Sequence, residues 1–439
     1  MNARATAFGS RRESGAGMIE TMVGILIGLL VVLVVYNMLA VAETYRRSTT
    51  GAADAQITGL LSHLLAGRDL ANSGNGISSS SADLTNCTRN EAGATDTTLR
   101  PIPLVVTDGG VGVSDSFISW QSASPHVVWP VDVRPPSPVA GANFIVQSPN
   151  GFSKPDGTPI PTVATPYWVV AIMNITEITN PLHNICKLFQ VTTASAPDAA
   201  SGEVSLTQGA IQTTIDYIGV PANAAGSGSR LLNLGPRGDS SRLRYDVDDD
   251  PLNVNRTFQL RTTDCLNRDW NCTGGNPNPI AQNVVLMKVQ YGIDTSIPPD
   301  GTVDCWTPAS NGACGNWTAA NVQSDTFPQK TTATADPSIE RMIAVRVGIV
   351  VRSDEPDLKD PALVAGTRAP VVLFNCSSNN PVDPLCANRI VVAQGAAASF
   401  GGSNCAPAVI CDQWRYRTYE TVIPLRNTIY LATVPGASP

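Results

Sequence analysis

The sequence predicts an α+β protein, with one long N-terminal helix packed on a β-rich, disulfide-bearing C-terminal domain. Three observations carry that expectation. From Met18 to Ala42 the chain is almost wholly apolar. Beyond about residue 76 it breaks into short β-like runs between Pro, Gly and Ser. All 10 cysteines lie past the apolar run.

The N-terminal element comes first. Residues 1–15 are polar and carry Arg4, Arg11 and Arg12. No charged residue lies between Glu20 and Glu43. At the helical rise, about 20 residues cross a bilayer core of about 30 Å, so the run is long enough to span. Basic residues ahead of it predict a cytoplasmic N-terminus, with everything past Glu43 exported. The run exceeds the h-region of a secretory signal, and no A-x-A-like site follows it. Glu20 is costly at the edge of a membrane helix unless something pairs with it, which marks it as a functional candidate. Gly24 and Gly28 have G-x-x-x-G spacing. The ordinary tolerance of membrane helices for glycine accounts for that spacing.

The helix is expected to run on past the membrane segment. Ile57, Leu60, Leu61, Leu64, Leu65 and Leu70 recur at roughly helical spacing and predict one sticky face, to be laid against a sheet. The Ser/Gly stretch 73–81 ends it. Three ranges follow: 1–15, a helix over 16–75, and an exported β-rich domain over 76–439.

Candidate strands within that domain are Ile102–Val106, Tyr167–Met173, Cys186–Thr192, Ile211–Ile218, Asn283–Tyr291, Ala344–Arg352 and Arg415–Leu425. Residues 134–166 read as a Pro-rich loop, 222–229 as a Gly/Ala/Ser-rich one, and 376–412 as loop carrying four cysteines.

The cysteines are Cys87, Cys186, Cys265, Cys272, Cys305, Cys314, Cys376, Cys386, Cys405 and Cys411. An even count in an exported region predicts disulfides. Zinc is the competing reading. No pair has C-x2-C spacing, and the histidines are only His63, His126 and His183, each isolated. Close spacing favours the pairs 265–272, 305–314, 376–386 and 405–411, although spacing does not fix connectivity.

The stretch Gly15-Ala16-Gly17-Met18-Ile19-Glu20 resembles the leader of prepilins: a basic n-region, a Gly at the cleavage point and a Glu at the fifth mature position. The resemblance implies residues 1–15 as leader, cleavage after Gly15, and Ala16 as the new, N-methylated terminus. The family usually has Phe at that first mature position. The resemblance further implies that Glu20 neutralises the Ala16 amine within a filament. Carboxylate and ammonium are costly apart in an apolar core and tolerable together, so the pair would set the stacking register.

Later segments are similar to the PilW family of type IV pilus minor pilins, which is related to the J-type pseudopilins of type II secretion. These are Leu65-Ala66-Gly67-Arg68-Asp69-Leu70-Ala71, Arg244-Tyr245-Asp246-Val247, Val289-Gln290-Tyr291-Gly292-Ile293-Asp294, Arg341–Val347 with Val351-Arg352-Ser353, and Arg417–Asn427. Residues about 85–235 resemble nothing in that family and are expected to be an inserted subdomain. The resemblance implies a pilin-like fold without a cofactor. The implied partners are other minor and major pilins, the prepilin peptidase, the inner-membrane assembly platform and a tip adhesin. The expected place is the inner membrane, with the C-terminal domain periplasmic, and then the extracellular pilus.

Other function classes fare worse. A net charge of −7 lacks the basic footprint of a nucleic-acid binder. There is no G-x-S-x-G elbow, Walker loop, H-E-x-x-H or C-x-x-C, so no enzyme is expected. Asp294, Asp300 and Asp304 carry the oxygen ligands that Ca2+ takes, as do Asp246, Asp248, Asp249 and Asp250. Neither set matches an EF-hand loop, and a solvated acidic turn accounts for both. The Arg237-Gly238-Asp239-Ser240 sequence is expected from turn-forming composition. A type II secretion pseudopilin and a membrane-anchored exported binding protein remain as alternatives.

Overall fold

The computed structural model describes residues 17–76, 87–88, 103–110, 113–124, 130–134, 143–174, 184–209, 230–237, 239, 242–248, 258–265, 272, 276–296, 300–307, 314, 342–354, 371–374, 390–392, 399–400, 403–404 and 414–427. The α+β expectation is met: one long apolar helix precedes a chain made of strands. The chain divides into two compact units, Met1–Ala53 and Asp54–Pro439.

Helix α1 covers Met18–Ala71. The residues of its first 24 positions are Leu, Val, Ile, Met, Gly and Ala with few interruptions, so no polar face exists to limit its growth. It ends at Ala71, ahead of the residue-75 limit read from the sequence. The chain turns over residues 72–76, where Ser73 donates its hydroxyl to the Pro103 carbonyl and Gly74 takes a positive φ of 82°.

Three sheets hold most of the described strands of the second unit. The first holds β1 (Cys87–Thr88), β4 (Val131–Asp132), β5 (Asn143–Val146), β6 (Tyr167–Asn174), β7 (Asn184–Ala194), β8 (Val204–Gln208) and β9 (Arg230–Pro236). Its order is β4-β9-β6-β7-β8-β5, with β1 parallel to β7. The two end strands also meet. Val133 bridges Val146, the Arg134 amide donates to Ile145 O at 2.8 Å, and the Gln147 amide donates to Asp132 O at 2.9 Å. The six strands of that order therefore close into a ring. Their interior is filled by Val131, Val133, Phe144, Val146, Phe189 and Leu206 and their neighbours. Phe144 and Phe189 stack with ring centroids 4.9 Å apart. Gly235 permits the irregularity between β6 and β9: its φ is 105°, and a Cβ there would lie 2.6 Å from the Ser124 nitrogen.

The second sheet holds β2 (Leu104–Thr107), β3 (Ser116–Trp120), β10 (Arg242–Asp248), β11 (Gln259–Asp264) and β12 (Asn278–Gln282), in the order β12-β11-β10-β3-β2. The third holds β13 (Val284–Ile293), β14 (Cys305–Thr307), β15 (Met342–Arg352) and β20 (Tyr416–Pro424), in the order β14-β13-β15-β20. Short ribbons pair β16 (Val371–Leu373) with β17 (Ile390–Val392), and β18 (Ser399–Phe400) with β19 (Ser403–Asn404). Thus the 376–412 stretch read as loop includes three short strands. The Pro-rich 134–166 stretch likewise contains β5.

Asn283 is the corner between the second and third sheets. It adopts a φ of 61°, a left-handed geometry that Asn tolerates. Its side chain accepts from Arg352 Nε at 3.0 Å and donates to Asp354 at 3.1 Å, which fixes the corner on β15.

β13 and β15 are buried on both faces. On one face Val289, Tyr291, Val345, Val347 and Ile349 join a core shared with the second sheet and with Ala55, Ala66 and Leu70 of α1. On the other, Leu286 and Val350 lie under Phe258, Leu373 and Phe374. Two arginines on that second face are held between rings. Arg346 lies 4.9 Å from Trp306 and 4.5 Å from Phe374, and Arg352 lies 4.7 Å from Phe258 and 4.4 Å from Trp414. Burial lowers Arg346 to about 10.

Among the described residues two disulfides join Cys265 to Cys272 and Cys305 to Cys314, with Cα atoms 4.7 and 5.9 Å apart. Both are pairs that close spacing favoured. Cys376, Cys386, Cys405 and Cys411 lie outside the described residues, as does the Ile211–Ile218 strand candidate. Cys87 and Cys186 stand on the adjacent strands β1 and β7.

Candidate assembly site: the helix and its seat

Gly15 and Ala16 lie outside the described residues. In the first unit, Glu20 sits in the opening turn of α1, is exposed, and donates its amide to Gly17 O at 2.8 Å. Around and after it, Met18, Ile25, Leu26, Leu29, Leu33, Leu39 and their apolar neighbours are all exposed. This helix is long and apolar enough to cross a membrane, with a mean hydropathy of 2.7 over an 18-residue window.

The part of α1 in the second unit corrects an expectation. The leucine-rich stripe does not face the protein's own sheet. Ile57, Leu60, Leu61 and Leu64 remain 65, 57, 42 and 69% exposed. The buried face is instead Ala55, Gly59, Ser62, Ala66, Asp69 and Leu70, the last being the one leucine of the stripe that is fully buried. The cause is steric. β20 crosses so close that a Cβ on Gly59 would overlap the Tyr419 ring, with the nearest ring carbon 2.2 Å away. The Tyr419 hydroxyl reaches the Ala55 carbonyl at 3.3 Å, and the ring of His63 lies 6.2 Å from that of Tyr419. Ile423 of β20 packs over Gly67 at 3.7 Å from its would-be Cβ. Only small residues admit such an approach, so hydrophobicity alone picks the wrong face.

The end of the helix is locked by polar contacts. Asp69 is 2% exposed. Its carboxylate accepts from the Tyr245 hydroxyl at 2.5 Å and from Arg68 Nε at 3.0 Å, and its carbonyl accepts from Ser119 at 2.9 Å. Burial, reinforced by the carboxylate, pushes the Tyr245 hydroxyl far above its usual range, so it stays a donor. Tyr245 stacks on Phe117 at 4.7 Å. Losing the carboxylate would leave a buried hydroxyl unsatisfied, at a cost of about 1–3 kcal/mol. Asn427 adds a further tie, donating to the Asn72 and Ser73 carbonyls at 3.4 and 3.0 Å.

The segments singled out in the sequence therefore meet here. The Leu65–Ala71 segment supplies Asp69, and Arg244–Val247 supplies Tyr245. The described residues of the three others fall on or directly after β13, β15 and β20, the third sheet. Tyr291 on β13 is fully buried. Its hydroxyl accepts from the Val106 amide at 2.6 Å and links the second and third sheets. Sequence reasoning missed the small-residue stripe, whose signal was the spacing of Ala55, Gly59, Ser62 and Ala66.

The acidic turn is used internally. Asp294 is buried and accepts from the Ser296 and Gly301 amides at 3.0 and 2.7 Å. Asp304 accepts from the Thr295 amide and hydroxyl and from the Ser296 hydroxyl. Asp300 caps Thr302. Among the described residues no group of three or more His, Cys, Asp or Glu side chains is placed to hold a metal ion. Asp246 and Asp248 are instead paired with Arg261 at 2.7 and 3.1 Å.

Comparison with curated proteins and with solved structures returned no match. A family model described as Type IV Pilus-assembly protein W matches residues 244–427. That range begins beside Tyr245 and ends at Asn427, so it takes in β13, β15, β20 and the two side chains, Tyr245 and Asn427, that reach to the helix end. Over residues 244–427 the chain is similar to the PilW family of type IV pilus-assembly proteins.

Proposed function

We propose that this chain is a minor pilin that is built into a type IV pilus, in a complex that primes assembly at the tip. The observation that carries the reading is the division of α1 in the second unit. One face is committed to the protein's own sheet by Gly59 and Asp69, while Ile57, Leu60, Leu61 and Leu64 are left in the open. An uncovered row of large apolar side chains on a fixed helix is a surface for other helices. Helices of other minor and major pilins supply such partners.

The same reading gives roles to the N-terminal residues. The prepilin peptidase cuts after Gly15 on the cytoplasmic side, and Ala16 becomes the methylated terminus. The helix holds the protein in the inner membrane with the β-rich domain in the periplasm. The assembly platform then lifts it into the filament, where it carries a tip adhesin outward. Glu20 pairs with the Ala16 amine and sets the stacking register.

N-terminal mass spectrometry of the mature protein, together with a Glu20→Ala variant, tests this. A mature chain starting at methylated Ala16, and a variant that is inserted and processed but supports few pili, are expected. An uncut N-terminus, or normal piliation by the variant, would overturn it.

A further inference from the structure

Lys288 of β13 is buried, with 5% of its side chain accessible, and its Nζ meets two carboxylates. It lies 2.6 Å from Asp115 Oδ1, 3.3 Å from Asp108 Oδ1 and 2.7 Å from the Gly110 carbonyl. Asp108 follows β2 and Asp115 precedes β3, so the contact ties the second sheet to the third. Asp115 has 1% of its side chain accessible and Asp108 has 10%. Both oxygens of Asp115 also accept backbone N–H groups, Oδ1 from Gly109 at 3.0 Å and Oδ2 from Val289 at 2.8 Å. Burial pushes Asp115 up to about 6, although the Lys288 ammonium opposes it. Burial also raises Asp108, but the Gly110 N–H, Lys288 and a hydrogen bond with Asp115 outweigh this and hold it below its usual range.

Such a site has more than an ion pair needs. The amine is fixed against the carboxyl it would attack, which supplies the proximity term of a bimolecular reaction. Two backbone donors face the oxygens on which charge develops. A second carboxylate lies beside the nitrogen to carry a proton. Exclusion of water favours condensation over hydrolysis.

From this geometry we infer that Lys288 and Asp115 condense to an intramolecular amide that joins the second and third sheets covalently. Asp108 takes one proton from the Lys288 ammonium, and the freed amine attacks Cγ of Asp115. The Nζ–Cγ bond forms and the Cγ–Oδ1 bond breaks. Oδ1 departs as water with two protons that began on the ammonium, one of them returned by Asp108. Oδ2 becomes the amide oxygen and keeps the Val289 N–H. Ammonium plus carboxylate gives amide plus water, so no oxidant or cofactor enters, and Asp108 ends as it began. The link would let tension on the domain pass between the sheets through a bond rather than through side-chain packing. It stands independently of the role in pilus assembly.

Peptide mapping of the purified full-length chain by mass spectrometry tests it. The expected result is one branched species, in which the peptide bearing Asp115 is joined to the peptide bearing Lys288 at their summed mass less one water, with no tryptic cut after Lys288. Two separate peptides with cleavage after Lys288 would reduce the contact to an ion pair and overturn the inference. Asp108→Asn keeps both reacting groups and removes the proton carrier. An unlinked chain that retains the Cys265–Cys272 and Cys305–Cys314 bridges supports the role of Asp108, and a linked one overturns that role. Should that variant not fold, the wild-type map still decides whether the amide exists.

Discussion

The six-stranded barrel of β4–β9 and the third sheet, which lies within residues 244–427, solve the edge problem in opposite ways. The barrel closes through Val133 and Val146 and fills its interior with its own side chains, and among the described residues its core takes none from the helix. The third sheet stays open and takes Ala55, Ala66 and Leu70 of α1 into the core it shares with the second sheet. One region is complete in itself, whereas the other is a seat for the helix. The family match falls on the seat and leaves the barrel out. The part of the chain that resembles that family is therefore the seat of the helix, and the barrel strands lie outside the match.

That contrast can be broken from either side. The largest effect is expected from Phe189→Ala, which removes one of the stacked rings in the barrel. A loss of about 3–5 kcal/mol is expected for a buried aromatic. Hydrogen exchange should rise across 143–209 while β15 keeps its protection. Equal loss of protection in β15 would show that the regions unfold as one.

Gly59→Leu strikes the seat. It drives a side chain into the Tyr419 ring and is expected to cost about 1–3 kcal/mol as overpacking. Amide exchange should increase in β20 and leave β6–β8 unchanged. A variant as stable as the parent would mean that the close approach of helix and strand is not required.

A smaller effect sharpens the same point through pH. His63 lies against Tyr419, and burial holds its imidazole below the usual 6.5, with Glu420 offsetting part of that. The folded chain therefore binds fewer protons than the unfolded chain just below pH 6.5. Stability should fall as the pH drops through that window. His63→Gln should flatten the dependence in a pH series of thermal melts. An unchanged slope would place the titrating group elsewhere.

Much of the seat could be read from the sequence. β13, β15 and β20 are runs rich in β-branched residues, and the apolar run of α1 has no competing interpretation as a strand. The barrel could not be read so well. Its closing contact lies beside a Pro-rich stretch, and β9, Arg-Leu-Leu-Asn-Leu-Gly-Pro, carries breakers that argue against a strand. β9 pairs with β4 and β6, strands far from it in the chain. The same limit hid Asp69, whose partner Tyr245 stands 176 residues away. The helix face was misjudged for a different reason. Periodicity finds the most hydrophobic stripe, but close packing on a sheet selects the smallest residues, and Gly59 and Ala66 contribute little to hydrophobicity.

The open leucine stripe is where structure and proposed function meet most directly. Leu60→Glu combined with Leu64→Glu places two charges on exposed positions that the protein's own sheet does not use. The double variant in the full chain should keep the parent's thermal melt and both disulfides, insert normally, and fail to support piliation. A variant that supports normal numbers of pili would contradict the assignment of this stripe to filament assembly.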